Sequence, residues 1–89
     1  MDRNRHMATR TSSHTVHAQI GPRAEGTVYD NASGAFRVLA VITDPSEARR
    51  ILRRNAARFA IRVLDLHAGT EHYTGAVWTG SDRVLKAVA

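Results

Sequence analysis

The stretch Arg37 to Leu52, RVLAVITDPSEARRIL, constrains the fold more than any other part of this chain. Val38-Leu39-Ala40-Val41-Ile42 is apolar at both odd and even positions, the pattern of a central strand covered on two sides. A helix start follows at once. Asp44 is a good N-cap, Pro45 suits the first helical position, and Glu47 stands where a capping box wants an acid. Both acids also complement the positive end of a helix dipole. A strand running straight into a capped helix is a βα unit, and it specifies no function.

Around this unit the chain reads as short strands and turns. His14 to Ile20 alternates, with Val16, Ala18 and Ile20 on one face, and Gly21-Pro22 ends it. Thr27 to Asp30 reads as a second strand, Asn31-Ala32-Ser33-Gly34 as a turn, and Ala35 to Thr43 as the strongest strand. The helix is expected to run from Asp44 to Arg58 or Phe59, with Ala48, Ile51, Leu52, Asn55, Ala56 and Phe59 inward. Ala60 to His67 and His72 to Thr79 form the arms of a hairpin about Ala68-Gly69-Thr70-Glu71. Arg83 to Ala89 is either a last edge strand or a short helix. The fold class is α+β: a small, antiparallel-rich sheet of about five strands, with one central amphipathic helix on one face. The strand after the helix lies parallel to strand 35–43 or beside another strand.

Eighty-nine residues make one domain, placed at 14–89. Residues 1–13 are polar and aperiodic, and read as a disordered basic tail. His6-Met7 is compatible with a cloning junction, which would make Met7 the natural start. Disulfides and thiolate metal sites are excluded because there is no cysteine. No run of about twenty apolar residues and no signal-peptide core is visible, so the expectation is a cytoplasmic protein.

The net charge of +5 is unevenly spread. Asp44 to Arg62 carries +4, the first thirteen residues +2, and the remainder −1. On the expected helix Arg49, Arg50, Arg53, Arg54 and Arg58 share the outward face, with only Glu47 near enough to neutralise one of them. Guanidinium groups so arranged suit phosphates or an acidic protein surface. An abundance of arginine also follows from a GC-rich genome, and a solvated helix face is polar in any case. Asn55 is the one amide on this helix, and no helix-turn-helix, zinc-finger or RNP signature is present, so base-specific reading is not expected.

In the hairpin, an expected register of His67 opposite His72 puts Ile61, Val63, Ala76 and Trp78 together on one face. The other face holds Leu64, Leu66, Tyr73 and Val77. One helix covers only one face, so Ile61, Val63, Ala76 and Trp78 are a candidate homo-oligomer interface, with Trp78 as its anchor. The alternative is that Trp78 packs under strand 14–20 or the C-terminus of its own chain.

Asp65, His67 and His72 have acceptable geometry for a metal or an acid–base pair, but a further donor would have to come from His14 or His17, which at i and i+3 of a strand face opposite sides, and exposed histidines at a hairpin tip are the simpler reading. No nucleophile elbow surrounds Ser33, Ser46 or Ser81, and the glycines form no phosphate loop. The chain is therefore expected to be non-catalytic, without metal or cofactor. Two functions fit it: a small nucleic-acid-associated or regulatory module, or a protein-interaction module. The second would be a phage- or plasmid-type inhibitor or accessory subunit that docks an acidic surface, homodimeric in form.

Overall fold

A computed structural model of the chain describes residues 15–88. The expected tail at 1–13, and His14, lie outside the described residues. The architecture is α+β. Residues 15–20 are helical (α1), followed by β1 (Val28–Asn31), β2 (Gly34–Ile42), α2 (Pro45–Leu52), β3 (Ala60–Asp65), β4 (Glu71–Thr74) and β5 (Arg83–Lys86). The strands form one sheet in the order β4-β3-β2-β1-β5, and every neighbouring pair is antiparallel. The apolar strand β2 is central, as its sequence requires.

The strand after α2 returns antiparallel beside β2. A parallel crossover would have to carry the chain back along all nine residues of β2, about 30 Å. The eight-residue helix spans only about 12 Å. The chain therefore turns back at the end of β2, and α2 lies against β3 and β4.

The core is one cluster of Ile20, Tyr29, Phe36, Val38, Phe59, Ile61 and Val63, with Val16, Val41 and Trp78 packed against it. A bulge at Leu39 makes this possible. Val38 pairs with Val63 and Val41 with Ile61, so two β2 residues three apart both join the core. Such a bulge inserts one unpaired residue and reverses the alternation beyond it.

Segment 14–20 was expected as a strand, and its described residues are a helix. Val16 and Ile20 are one helical turn apart as well as two strand steps apart, so alternation over so short a run fits both structures. Burial separates them: Ile20 is buried and Val16 half-buried, while Ala18, which a strand would have put beside them, is exposed.

The expected end of α2 near Arg58 is also corrected. The helix stops at Leu52, and Arg53 takes the left-handed conformation at φ 55°, ψ 43°. Arg54 N–H donates to the Arg49 carbonyl, and Ala57 N–H to that of Arg54. Asn55 and Ala56 are thus exposed loop residues, not part of an inward face. The start is as expected: the Asp44 carboxylate accepts from Ser46 N–H at 3.3 Å.

The β3–β4 register differs too. Ile61 pairs with Thr74 and Val63 with His72, not with Trp78 and Ala76. Asp65 moves the turn two residues earlier. Its carboxylate accepts from the N–H groups of His67 and Ala68, both at 2.9 Å, and Gly69 at φ 73° closes the loop onto its carbonyl. Hydrogen bonds from Ala68, then from His67, outweigh the desolvation that opposes them and hold this carboxyl below the usual aspartate range. Four residues after Asp65 the chain is already returning, so β4 ends at Thr74 and 75–79 leave the sheet. The last segment takes the strand option, with β5 pairing on β1.

Ile61 and Val63, expected at an oligomer interface, are fully buried inside their own chain. Trp78 is half-buried against the core beside Val16 and Ile20, and its backbone N–H donates to the Gln19 carbonyl at 2.7 Å, so packing under segment 14–20 is what is observed. Ala76 is exposed. The face of Ile61 and Val63 is covered by α1, Phe59 and Trp78, while Leu66, Tyr73 and Val77 stay exposed.

Candidate anion-binding surface

The five arginines singled out from sequence are all exposed, but they do not form one helical stripe. Arg49 and Arg50 lie on the last turn of α2, Arg53 is its C-cap, and Arg54 and Arg58 stand in the loop that leads into β3. Arg54 and Arg58 meet at a cleft of about 210 Å³, whose apolar lining includes Leu52, Phe59 and Val77. A Cβ on Gly75 would come within 2.6 Å of Leu52 Cδ1, the tip of a flexible side chain that can turn aside.

In the sheet two of four cations are paired with carboxylates, while Arg37 and Lys86 form no ion pair among the described residues. Arg62 is ion-paired with Glu71 and Arg83 with Asp30, and both guanidinium pKa values are raised, first by the hydrogen bond to that carboxylate. Arg50 reaches Glu47 at 3.8 Å, a loose and exposed pair, and Arg49 donates to the Ser46 hydroxyl at 3.4 Å. Arg53, Arg54 and Arg58 make no ion pair among the described residues. Cations at a helix C-terminus gain about 0.3–1 kcal/mol from the helix dipole, which accounts for part of the clustering at Arg49, Arg50 and Arg53. It does not reach Arg58.

Arg53 carries a further cost. A side chain in the left-handed region is strained by about 1–3 kcal/mol, and glycine is the usual residue at such a helix end. The arginine there stands against the local conformational preference.

Asp65 is occupied by backbone N–H groups, and the His72 ring stands edge-on to Phe36 at 5.8 Å. No group of three or more His, Cys, Asp or Glu residues that could hold a metal ion occurs among the described residues. Nor is any helix among them long and apolar enough to cross a membrane.

Sequence reading missed Arg23 altogether. It is 2 % exposed, with Nε donating to the Ile20 carbonyl and Nη2 to those of Gln19 and Ala76, at 2.8–2.9 Å. The rings of Tyr29 and Trp78 each lie 5.6 Å from its guanidinium carbon. A lone arginine after Gly-Pro carries no sequence signal for burial, since its partners are carbonyls that any residue could supply. Comparison with protein-family models, with curated proteins and with solved structures found no match to this chain.

Proposed function

We propose that this chain is a cytoplasmic, non-catalytic module that binds the phosphate backbone of nucleic acid through Arg49, Arg50, Arg53, Arg54 and Arg58. The observation that carries this reading is the unneutralised state of Arg53, Arg54 and Arg58, in a protein whose Arg62 and Arg83 are each held by a carboxylate. Arginine in a strained position that favours glycine points the same way, because strain kept at an exposed residue suggests a use for the side chain.

Salt titration tests it. If all five arginines contact duplex phosphates, affinity should fall roughly two to three orders of magnitude between 50 and 200 mM salt. In the Arg50→Glu, Arg53→Glu, Arg54→Glu triple variant, binding to random-sequence duplex and single strands should be lost. Unchanged affinity in that variant, or no wild-type binding at low salt, removes the proposal.

Arg53→Gly separates fold from function at one position. Relief of the left-handed strain should raise stability by about 0.5–1 kcal/mol, and Tm by about 2–8 °C. The same change should flatten the salt dependence by about one phosphate contact. A thermal melt and a salt titration read the two effects, and a destabilised Arg53→Gly would mean that the side chain is needed for the fold.

A second reading is favoured by the apolar lining between Arg54 and Arg58: an acidic protein surface whose apolar side chain enters that cleft. Binding to an acidic protein but not to nucleic acid would select it. Homodimerisation belongs with this reading, and would use the exposed Leu66, Tyr73, Val77, Leu85 or Val88. Light scattering at high concentration tests it, and a strict monomer removes it.

A further inference from the structure

We propose that a second cleft, built around Arg23 and away from the arginine segment, binds a small carboxylate with a short apolar tail. The cleft is about 180 Å³ and is lined by Arg23, Asn31, Ser33, His72, Thr74 and Asp82, with the aromatic side chains of Tyr29 and Phe36 in its wall. That volume is below the roughly 300–1,000 Å³ of a typical ligand site, so the occupant is small.

The argument starts from the charge of Arg23. A buried guanidinium is costly to desolvate, and a facing carboxylate normally offsets the cost. Arg23 has none: no ion pair to it is formed among the described residues. Asp82 feels its charge but is committed elsewhere. Asp82 Oδ1 accepts from Asn31 Nδ2 at 2.8 Å, and Oδ2 accepts from the N–H and hydroxyl of Thr79. Carbonyls and ring faces satisfy Nε and Nη2 of Arg23, and Nη1 donates to nothing. Yet no fully buried side-chain nitrogen or oxygen lacks a partner among the described residues, so Nη1 keeps access to the space outside it.

The rest of the lining offers donors. The Ser33 hydroxyl has no partner, and Thr74 Oγ accepts from Ala76 N–H, which leaves its proton free to donate. His72 adds a ring nitrogen. A cationic group and two hydroxyls beside aromatic walls match a carboxylate followed by a few carbons. Asp82 decides between anions: its negative charge in the same cleft disfavours sulfate or phosphate more than a singly charged carboxylate.

Trp78 is the one tryptophan of the chain and lies against Arg23, so its fluorescence reports directly on this site. The probe is butyrate, titrated at constant ionic strength against chloride, with sulfate and phosphate as parallel arms. A saturable change with butyrate is expected, with sulfate and phosphate weaker. In a Ser33→Ala, His72→Ala double variant the half-saturation point should rise about tenfold, with Tm lowered by a few degrees because the His72 ring leaves the edge of Phe36. The Arg50→Glu, Arg53→Glu, Arg54→Glu variant should bind butyrate as the wild type does, which keeps this test separate from that of nucleic-acid binding. A response to butyrate no different from that to chloride overturns the proposal. An unaltered response in the double variant does too, as does saturation by sulfate or phosphate ahead of butyrate.

Discussion

Gly21→Ala is expected to lower stability by about 2–5 kcal/mol, from left-handed strain and from a steric clash together. Gly21 ends α1 at φ 64°, where its N–H donates to the His17 carbonyl at 2.9 Å. A Cβ there would lie 2.5 Å from Trp78 Cγ and 2.8 Å from Trp78 Cβ. These atoms sit at the root of the side chain and cannot swing away as the tip of a leucine can. Trp78 is also held from behind, by its N–H on the Gln19 carbonyl and its ring against Tyr29 at 5.6 Å. A domain of this size has a total stability of only about 4–13 kcal/mol, so the variant should be close to unfolding. Gly69→Ala is the control. Gly69 has a similar φ of 73° but nothing within 4 Å of the added carbon, so it should lose only the conformational part, about 1 kcal/mol. Urea midpoints of the two variants measure the difference. Equal losses would mean that α1 does not dock on Trp78.

Arg23→Ala should cost about 2–5 kcal/mol, mainly because buried carbonyls lose their donors. The Gln19 carbonyl retains Trp78 N–H, but those of Ile20 and Ala76 lose the guanidinium donors that hold them. The contact to Ala76 spans 53 residues and ties the end of α1 to the segment after β4. Losing the desolvation cost of the guanidinium returns part of the energy, so the figure stays below the sum of three hydrogen bonds to a charged group. Arg23→Lys should fall between, since an ammonium lacks the planar fork that serves three carbonyls and fits between two rings. Urea denaturation followed by Trp78 fluorescence measures all three proteins. A fully stable Arg23→Ala would show that the guanidinium contributes nothing net to the fold, and would leave anion binding as its only use.

How far the sequence could be read depended on the range of each signal. Asp44-Pro45 starts α2 because N-capping is a contact within two residues, and Asn31 to Gly34 turns for the same reason: Asn31 Oδ1 accepts from Ser33 N–H at 2.8 Å. β2 was legible as the central strand because nearly every residue in it is apolar. The basic segment was legible as charge, and all five of its arginines are exposed. Its shape was not. Nothing between Arg49 and Arg58 breaks a helix, and arginine and alanine favour one. The helix stops at Leu52 and the chain delivers Phe59 to the core and Ala60 to the sheet, which a helix continued to Arg58 would not do.

The same division holds for the rest of the chain. Composition, the βα junction, the two hairpins and the concentration of positive charge follow from neighbouring residues acting on one another. The helical state of 15–20, the Leu39 bulge and the burial of Arg23 do not. Each is a choice between local alternatives, such as strand or helix for Val16 and Ile20, or solvent or carbonyls for a guanidinium. Contacts with residues far along the chain, such as Trp78 on Gly21 and Ala76 on Arg23, tip those balances, and such contacts exist only once the sheet has assembled.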